Sequence, residues 1–154
     1  MIQREILTGI IQEKYPRVIM GIEIGTLRGD TIAYLLKNIP NLEVYCIDPT
    51  PVLGEWAANI NDHNTRVHIL ELPSDKAARL FDKESFDFVW VDGDHSYEQV
   101  KRDIVNYLPL VRKGGFIGGH DYGSQAYSGV KQAVDELFNG TLQVKEDYVW
   151  VVNV

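Results

Sequence analysis

Stretches of strand character alternate with stretches of helical periodicity from one end of the chain to the other, joined by short connections. Strand, helix and strand in that order make right-handed crossovers, so the alternation predicts a mainly parallel sheet with helices on both faces. After a helical stretch carrying Ile2, Ile6, Ile10 and Ile11, residues 17–24 read as a buried strand. Asp30 is placed to cap a helix with Ile32, Leu35, Leu36 and Ile39 on one face, stopped by Pro40-Asn41. A strand at 43–48, a helix at 55–63 and a strand at 66–72 follow, then a short helix from Ser74 through Phe81. The strand at 86–91 ends at Asp92-Gly93-Asp94-His95. Ser96 and Gln99 have capping-box spacing, with Tyr97, Val100, Ile104, Leu108 and Val111 on one helical face. Gly114-Gly115 is expected to turn the chain into a strand at 116–119, which ends at His120-Asp121. A helix on Val130, Ala133, Val134, Leu137 and Phe138 closes at Asn139-Gly140, and two strands joined at Glu146-Asp147 form a terminal hairpin.

In sheets of this kind, ligands bind outside the carboxyl ends of the strands. Glu23-Ile24-Gly25, Asp48-Pro49, the Asp92 cluster and His120-Asp121 all fall at such ends, so they are expected to line one crevice. The length of 154 residues suits a single domain spanning 1–154. No apolar run approaches the roughly 20 residues of a membrane helix, and Met1 to Glu5 lacks the apolar centre of a signal peptide. Cys46 is the sole cysteine, which excludes an internal disulfide and fits a reducing, cytoplasmic setting. The net charge of −7 is shared by both halves, and Arg112-Lys113 is an isolated basic pair. That pattern argues against a nucleic-acid or membrane partner and for a small molecule or neutral polar acceptor.

Glycines at 25 and 29 in Glu23-Ile24-Gly25-Thr26-Leu27-Arg28-Gly29 permit positive φ and close approach of a ligand to the backbone. The run is not G-x-G-x-x-G, and Glu23 would oppose a pyrophosphate while suiting a cationic or hydroxyl-rich group. Read blandly, it is an ordinary strand-to-helix turn. Asp48 lies 23 residues past Gly25, where an acid can accept both hydrogen bonds of a ribose diol; equally, Asp-Pro commonly starts a loop.

E-I-G-x-x-x-G after the first strand, an acid after the second, V-D-G-D-H-S-Y-E-x-V-K-x-D and then G-G-F-I-x-x-H-D together resemble the class I S-adenosylmethionine-dependent methyltransferases. Within them the chain is most similar to the branch holding the macrocin and mycinamicin sugar O-methyltransferases and the cephalosporin-hydroxylase-like proteins. The resemblance runs from about Arg17 to Val154. It implies a Rossmann-like three-layer α/β sandwich with a mostly parallel seven-stranded sheet and a C-terminal antiparallel hairpin. It implies S-adenosylmethionine as cofactor, with Glu23, Gly25, Thr26 and Gly29 around its methionine part, Asp48 on the ribose, and Ser74-Asp75 near the adenine. In the sugar methyltransferases an Asp after the fourth strand and two acids after the fifth hold magnesium, and a His three residues past the first Asp is the base.

Here Asp92 and His95 match that Asp and His, while His120 and Asp121 occupy the later pair. Imidazole replaces one oxygen ligand, so a metal-free site, or a metal more tolerant of nitrogen, stands beside magnesium at Asp92, His120 and Asp121. Methyl transfer needs an aligned acceptor and a route for its proton, which gives His95 and Asp92 a catalytic reading. His95 and Asp94 could instead cap the following helix. His63 and His68 read as surface or packing residues, and Trp56, Trp90 and Trp150 as core or crevice wall, with Trp90 in the core. The Tyr122–Gly129 loop could fold over an acceptor through Tyr122 or Tyr127. With so few residues before Arg17, the acceptor pocket is expected to be open or completed by another subunit of a homo-oligomer. The expected function is O-methylation of a small-molecule or sugar hydroxyl. The rivals are a non-catalytic cofactor-binding or assembly domain of the same fold and a nicotinamide-dependent oxidoreductase.

Overall fold

The computed structural model describes residues 2–15, 17, 19–60 and 65–154. Seven strands form one sheet: β1 (Ile19–Ile24), β2 (Leu42–Ile47), β3 (Val67–Leu70), β4 (Phe86–Val91), β5 (Val111–Gly119), β6 (Gln143–Val144) and β7 (Trp150–Asn153). Their spatial order is β3-β2-β1-β4-β5-β7-β6. The first five are mutually parallel, and β7 enters antiparallel between β5 and β6. The helices are α1 (Gln3–Lys14), α2 (Asp30–Asn38), α3 (Leu53–Ile60), the single turn α4 (Ser74–Ala77), α5 (Tyr97–Tyr107) and α6 (Ser128–Leu137). This is the α/β three-layer sandwich, with its antiparallel C-terminal hairpin, that the alternation and the resemblance imply.

Strand side chains alternate between faces, so each strand feeds two cores. Phe88 and Trp90 of β4 pack with Leu7 and Ile11 of α1, Leu35 of α2 and Trp56 of α3. Val89 and Val91 pack on the other face with Val100 and Ile104 of α5 and Val134 of α6. Trp90 and Trp150 are fully buried, as a core reading requires. At the amino edge of the sheet the fully buried Asp87 accepts from Arg17 at 2.5 Å and from the Met20 N–H at 2.9 Å. His68 bonds Glu43 at 2.7 Å and stacks on Tyr45, a packing role; His63 lies outside the described residues.

Four local expectations are corrected. Asp30 does not cap α2: Gly29, left-handed at φ 75°, holds the cap position, and Asp30 is the first helical residue, paired with Arg28 at 3.4 Å. Val111 does not extend the helical face of α5, because Pro109 sits in a single 3₁₀ turn (Leu108–Leu110) that ends the helix, and Val111 opens β5. Gly114-Gly115 lie inside β5, where the register against β4 jumps from Phe86↔Val111 to Phe88↔Phe116. The hairpin turns one residue later than expected, on Asp147 and Tyr148 at φ 52° and 57°, closed by Val149 N–H to the Glu146 carbonyl. Both central residues take the positive φ of a type I′ turn without a glycine. Among the described residues, no helix is long and apolar enough to cross a membrane.

The strand order reverses between β1 and β4, and the crevice beyond their carboxyl ends is where this architecture receives a ligand.

Candidate active site

Two cavities, each of about 450 Å³, meet there and share Gly25, Leu27 and Asp92. One extends toward Asp48, Ser74, Asp75 and His95; the other runs toward Glu23, Thr26, His120 and the first turn of α1. Gly25 makes this junction possible. Its φ is 86°, its N–H reaches the Ile47 carbonyl at 2.8 Å, and a Cβ there would lie 2.3 Å from the Asp92 carbonyl oxygen. At Gly29 a Cβ would press on the Trp56 indole at 3.1 Å, so that tryptophan backs the turn rather than lining the crevice.

Asp48 binds the loops on either side of it. Oδ2 accepts from Leu27 N–H and Oδ1 from Thr50 N–H, both at 2.8 Å. The second bond is the Asx turn expected of a loop-starting Asp, and each oxygen keeps a lone pair for a ligand hydroxyl. Glu23 is almost completely buried, and burial, then the nearby Asp92 carboxylate, pushes its carboxyl up to about 8. A buried acid so close to neutrality is readily ionised by an incoming cation.

Across the junction, His95 Nε2 lies 2.9 Å from Asp121 Oδ2 and 3.8 Å from Asp92 Oδ1. The Asp92 and Asp121 carboxylates hold the imidazole above the usual histidine value against partial burial; Asp121 makes the closer contact. The His95 ring stacks on Tyr127 with centroids 4.1 Å apart, whereas the Tyr122 hydroxyl donates to Asp135. Helix capping falls to other residues: Ser96 Oγ accepts from Gln99 N–H and Asp94 from Ser96 N–H, a contact that lowers the Asp94 carboxyl. His120 sits beside this group, with Nδ1 3.3 Å from Asp121 and Nε2 3.9 Å from Asp147.

Asp92, His95 and Asp121 can each offer one ligand atom, all within 4.8 Å of one another, so they could hold a divalent cation. Two carboxylates and one imidazole suit a first-row transition ion better than magnesium, which prefers oxygen throughout. His120 is not part of that group, whose imidazole comes from His95.

Some crevice residues were not singled out in the sequence. Gln3 and Arg4 reach it only because α1 packs there. Asp103 closes the V-D-G-D-H-S-Y-E-x-V-K-x-D run without having been given a role there, and its further signal is being an acid on the apolar face of Val100, Ile104 and Tyr107. Its Oδ1 accepts from Ser74 Oγ at 2.6 Å and from Gln99 Nε2 at 2.9 Å, so the Ser74 proton is committed to Asp103. Burial pushes the Asp103 carboxyl up from an ordinary 3.8 to about 6, against those two bonds. The folded chain then holds this proton more tightly than the unfolded one, so its stabilising contribution is whole below pH 4 and is withdrawn as pH rises through 6. Asp103→Asn should flatten the unfolding free energy between pH 4 and 7 by on the order of 3 kcal/mol. Parallel wild-type and variant profiles from urea titrations across that range would show that Asp103 is not shifted.

Comparison with known proteins agrees with this architecture. A family described as Methyltransferase domain matches residues 22–122, and the chain belongs to that family, with the fold of the class I S-adenosylmethionine-dependent methyltransferases. An uncharacterized protein of Acanthamoeba polyphaga mimivirus is 30% identical over 70% of this chain, which spans 53% of that protein's length. A Corynebacterium glutamicum protein of known structure superposes with a TM-score of 0.78 at 18% identity, over 97% of this chain and 79% of its own. An O-methyltransferase family protein from Burkholderia thailandensis does so at 0.68 and 15%, over 96% and 55%. At these identities the two structures speak to the fold.

Proposed function

We propose that this chain transfers a methyl group from S-adenosylmethionine to a hydroxyl oxygen of a small molecule or sugar. The observation that carries the reading is the pair of cavities joined at Gly25 and Asp92, with acids in both lobes. Their shape suits a ligand of two linked halves, and their charge suits one bearing a sulfonium and an ammonium rather than a pyrophosphate. In this assignment Asp48 takes the ribose diol, Ser74 and Asp75 border the base, and Glu23 lies at the amino-acid end.

The acceptor oxygen attacks the methyl carbon in line with the carbon–sulfur bond, whose electron pair returns to sulfur as S-adenosylhomocysteine leaves. His95 takes the hydroxyl proton, oriented by Asp121 and Asp92. A divalent cation on Asp92, His95 and Asp121 would, when bound, supply an alternative means of acidifying the hydroxyl.

Calorimetric titration with S-adenosylhomocysteine, using NAD as comparator, tests the donor. The expected result is micromolar binding of the first and none of the second. Binding of NAD alone would assign the crevice to the nicotinamide rival, and binding without turnover across an acceptor panel would favour the non-catalytic one. Turnover compared after EDTA dialysis, with and without added magnesium or manganese, separates the metal-free route from the metal-assisted one.

A further inference from the structure

The cavity at the β1 turn has Glu23, Asp30, Asp92 and Asp147 among its lining residues. A ligand carboxylate entering it needs a cation, and two arginines are at hand. Arg28 is half exposed and already engaged, 3.4 Å from Asp30 and 3.6 Å from Glu55. Arg4 forms no ion pair with a described residue. Its guanidinium lies 5.2 Å over the Tyr34 ring, which fixes its position without satisfying its N–H groups, and its Nε is buried with no hydrogen-bond partner. A buried donor left in that state is costly and uncommon, and it marks a place where a polar ligand group fits.

The same condition recurs around this cavity. Gln3 Oε1 and His120 Nε2, both on residues that line it, are likewise buried without a hydrogen-bond partner among the described residues. The first turn of α1 is also firmly placed. Gln3 N–H donates to Asp147 at 2.7 Å, and its side-chain amide donates to Asp92 at 3.0 Å.

We propose that Arg4 binds the α-carboxylate of the methyl donor's amino-acid end, while Glu23 meets its α-ammonium. The assignment rests on the methyl-donor reading of the crevice and adds to it the residue that recognises a zwitterion. A guanidinium offers a carboxylate two parallel N–H bonds, and Glu23 in the same cavity gives the ammonium an acceptor of its own. The N-terminal helix thereby becomes part of the donor site rather than packing alone.

The test compares two ligands by calorimetry on the full chain. One is S-adenosylhomocysteine; the other is S-adenosyl-3-thiopropylamine, which keeps the thioether and ammonium and lacks only the carboxylate. Wild-type protein should prefer the first by roughly 10–100-fold. Arg4→Ala should bind both about equally, near the wild-type affinity for the decarboxylated compound. Arg4→Lys, which keeps the charge and loses the fork, should give an intermediate preference and guards against a poorly folded alanine variant. Full preference retained in both variants, or no preference in the wild type, overturns the role of Arg4 and leaves the donor reading standing. Failure of the wild type to bind either compound overturns the donor reading, and this proposal with it.

Discussion

Replacing His95 with alanine should lower turnover by about 10²–10⁴-fold while the affinity for S-adenosylhomocysteine stays nearly unchanged. The argument is geometric. His95 lines one cavity together with the junction residue Asp92, with Asp121 at 2.9 Å and Asp92 at 3.8 Å to orient the ring. In the proposed transfer the donor's leaving group needs no acid, so the proton of the attacking hydroxyl is the one that has to be removed. A base works only when deprotonated, and the two carboxylates hold His95 above its ordinary 6.5. Wild-type turnover should therefore fall as pH drops through a value above 6.5, and the alanine variant should lose that limb of its profile. Asp121→Asn removes one of the raising charges and should move the limb to lower pH. Equal losses of turnover and donor affinity in His95→Ala would make the residue structural.

Gly25→Ala is expected to cost about 3 kcal/mol or more of stability and to weaken S-adenosylhomocysteine binding by at least about tenfold. Two causes combine. The left-handed backbone at φ 86° disfavours any side chain, and the new Cβ would fall 2.3 Å from the Asp92 carbonyl oxygen and 2.4 Å from the Gly93 Cα. Neither obstacle is a flexible side-chain end, so the β4–α5 connection would have to move and carry Asp92 with it. Gly123→Ala separates the causes, because Gly123 has φ 83° with nothing within 4 Å of its Cβ position. That control should lose only about 1–2 kcal/mol, from backbone strain. Urea midpoints for the two variants that coincide would show that the close approach at Gly25 is relaxed at little cost.

Much of this protein was determined by its sequence alone, and the reason is that the relevant signals are local. Two-residue and 3.6-residue periodicities distinguish strands from helices within a dozen positions, and the strand at Phe86–Val91 was delimited to the residue. Polar residues at strand ends reach the crevice by topology, which is why Gly25, Asp48, Asp92 and His95 meet there. The errors were local competitions resolved differently: Gly29 displaced Asp30 as the cap, and Pro109 cut short a helical face that apolar spacing extended to Val111. Only the tertiary structure decided which atoms touch. Gln3 bonds Asp92 across 89 positions, and no periodicity encodes where the first turn of α1 docks. His95, rather than His120, approaches Asp121 most closely because the connection after β4 and the one after β5 lie side by side at the carboxyl ends of two neighbouring strands. Such contacts depend on how whole helices pack against the sheet, a sum over many small apolar contacts that neither neighbouring residues nor spacing can express.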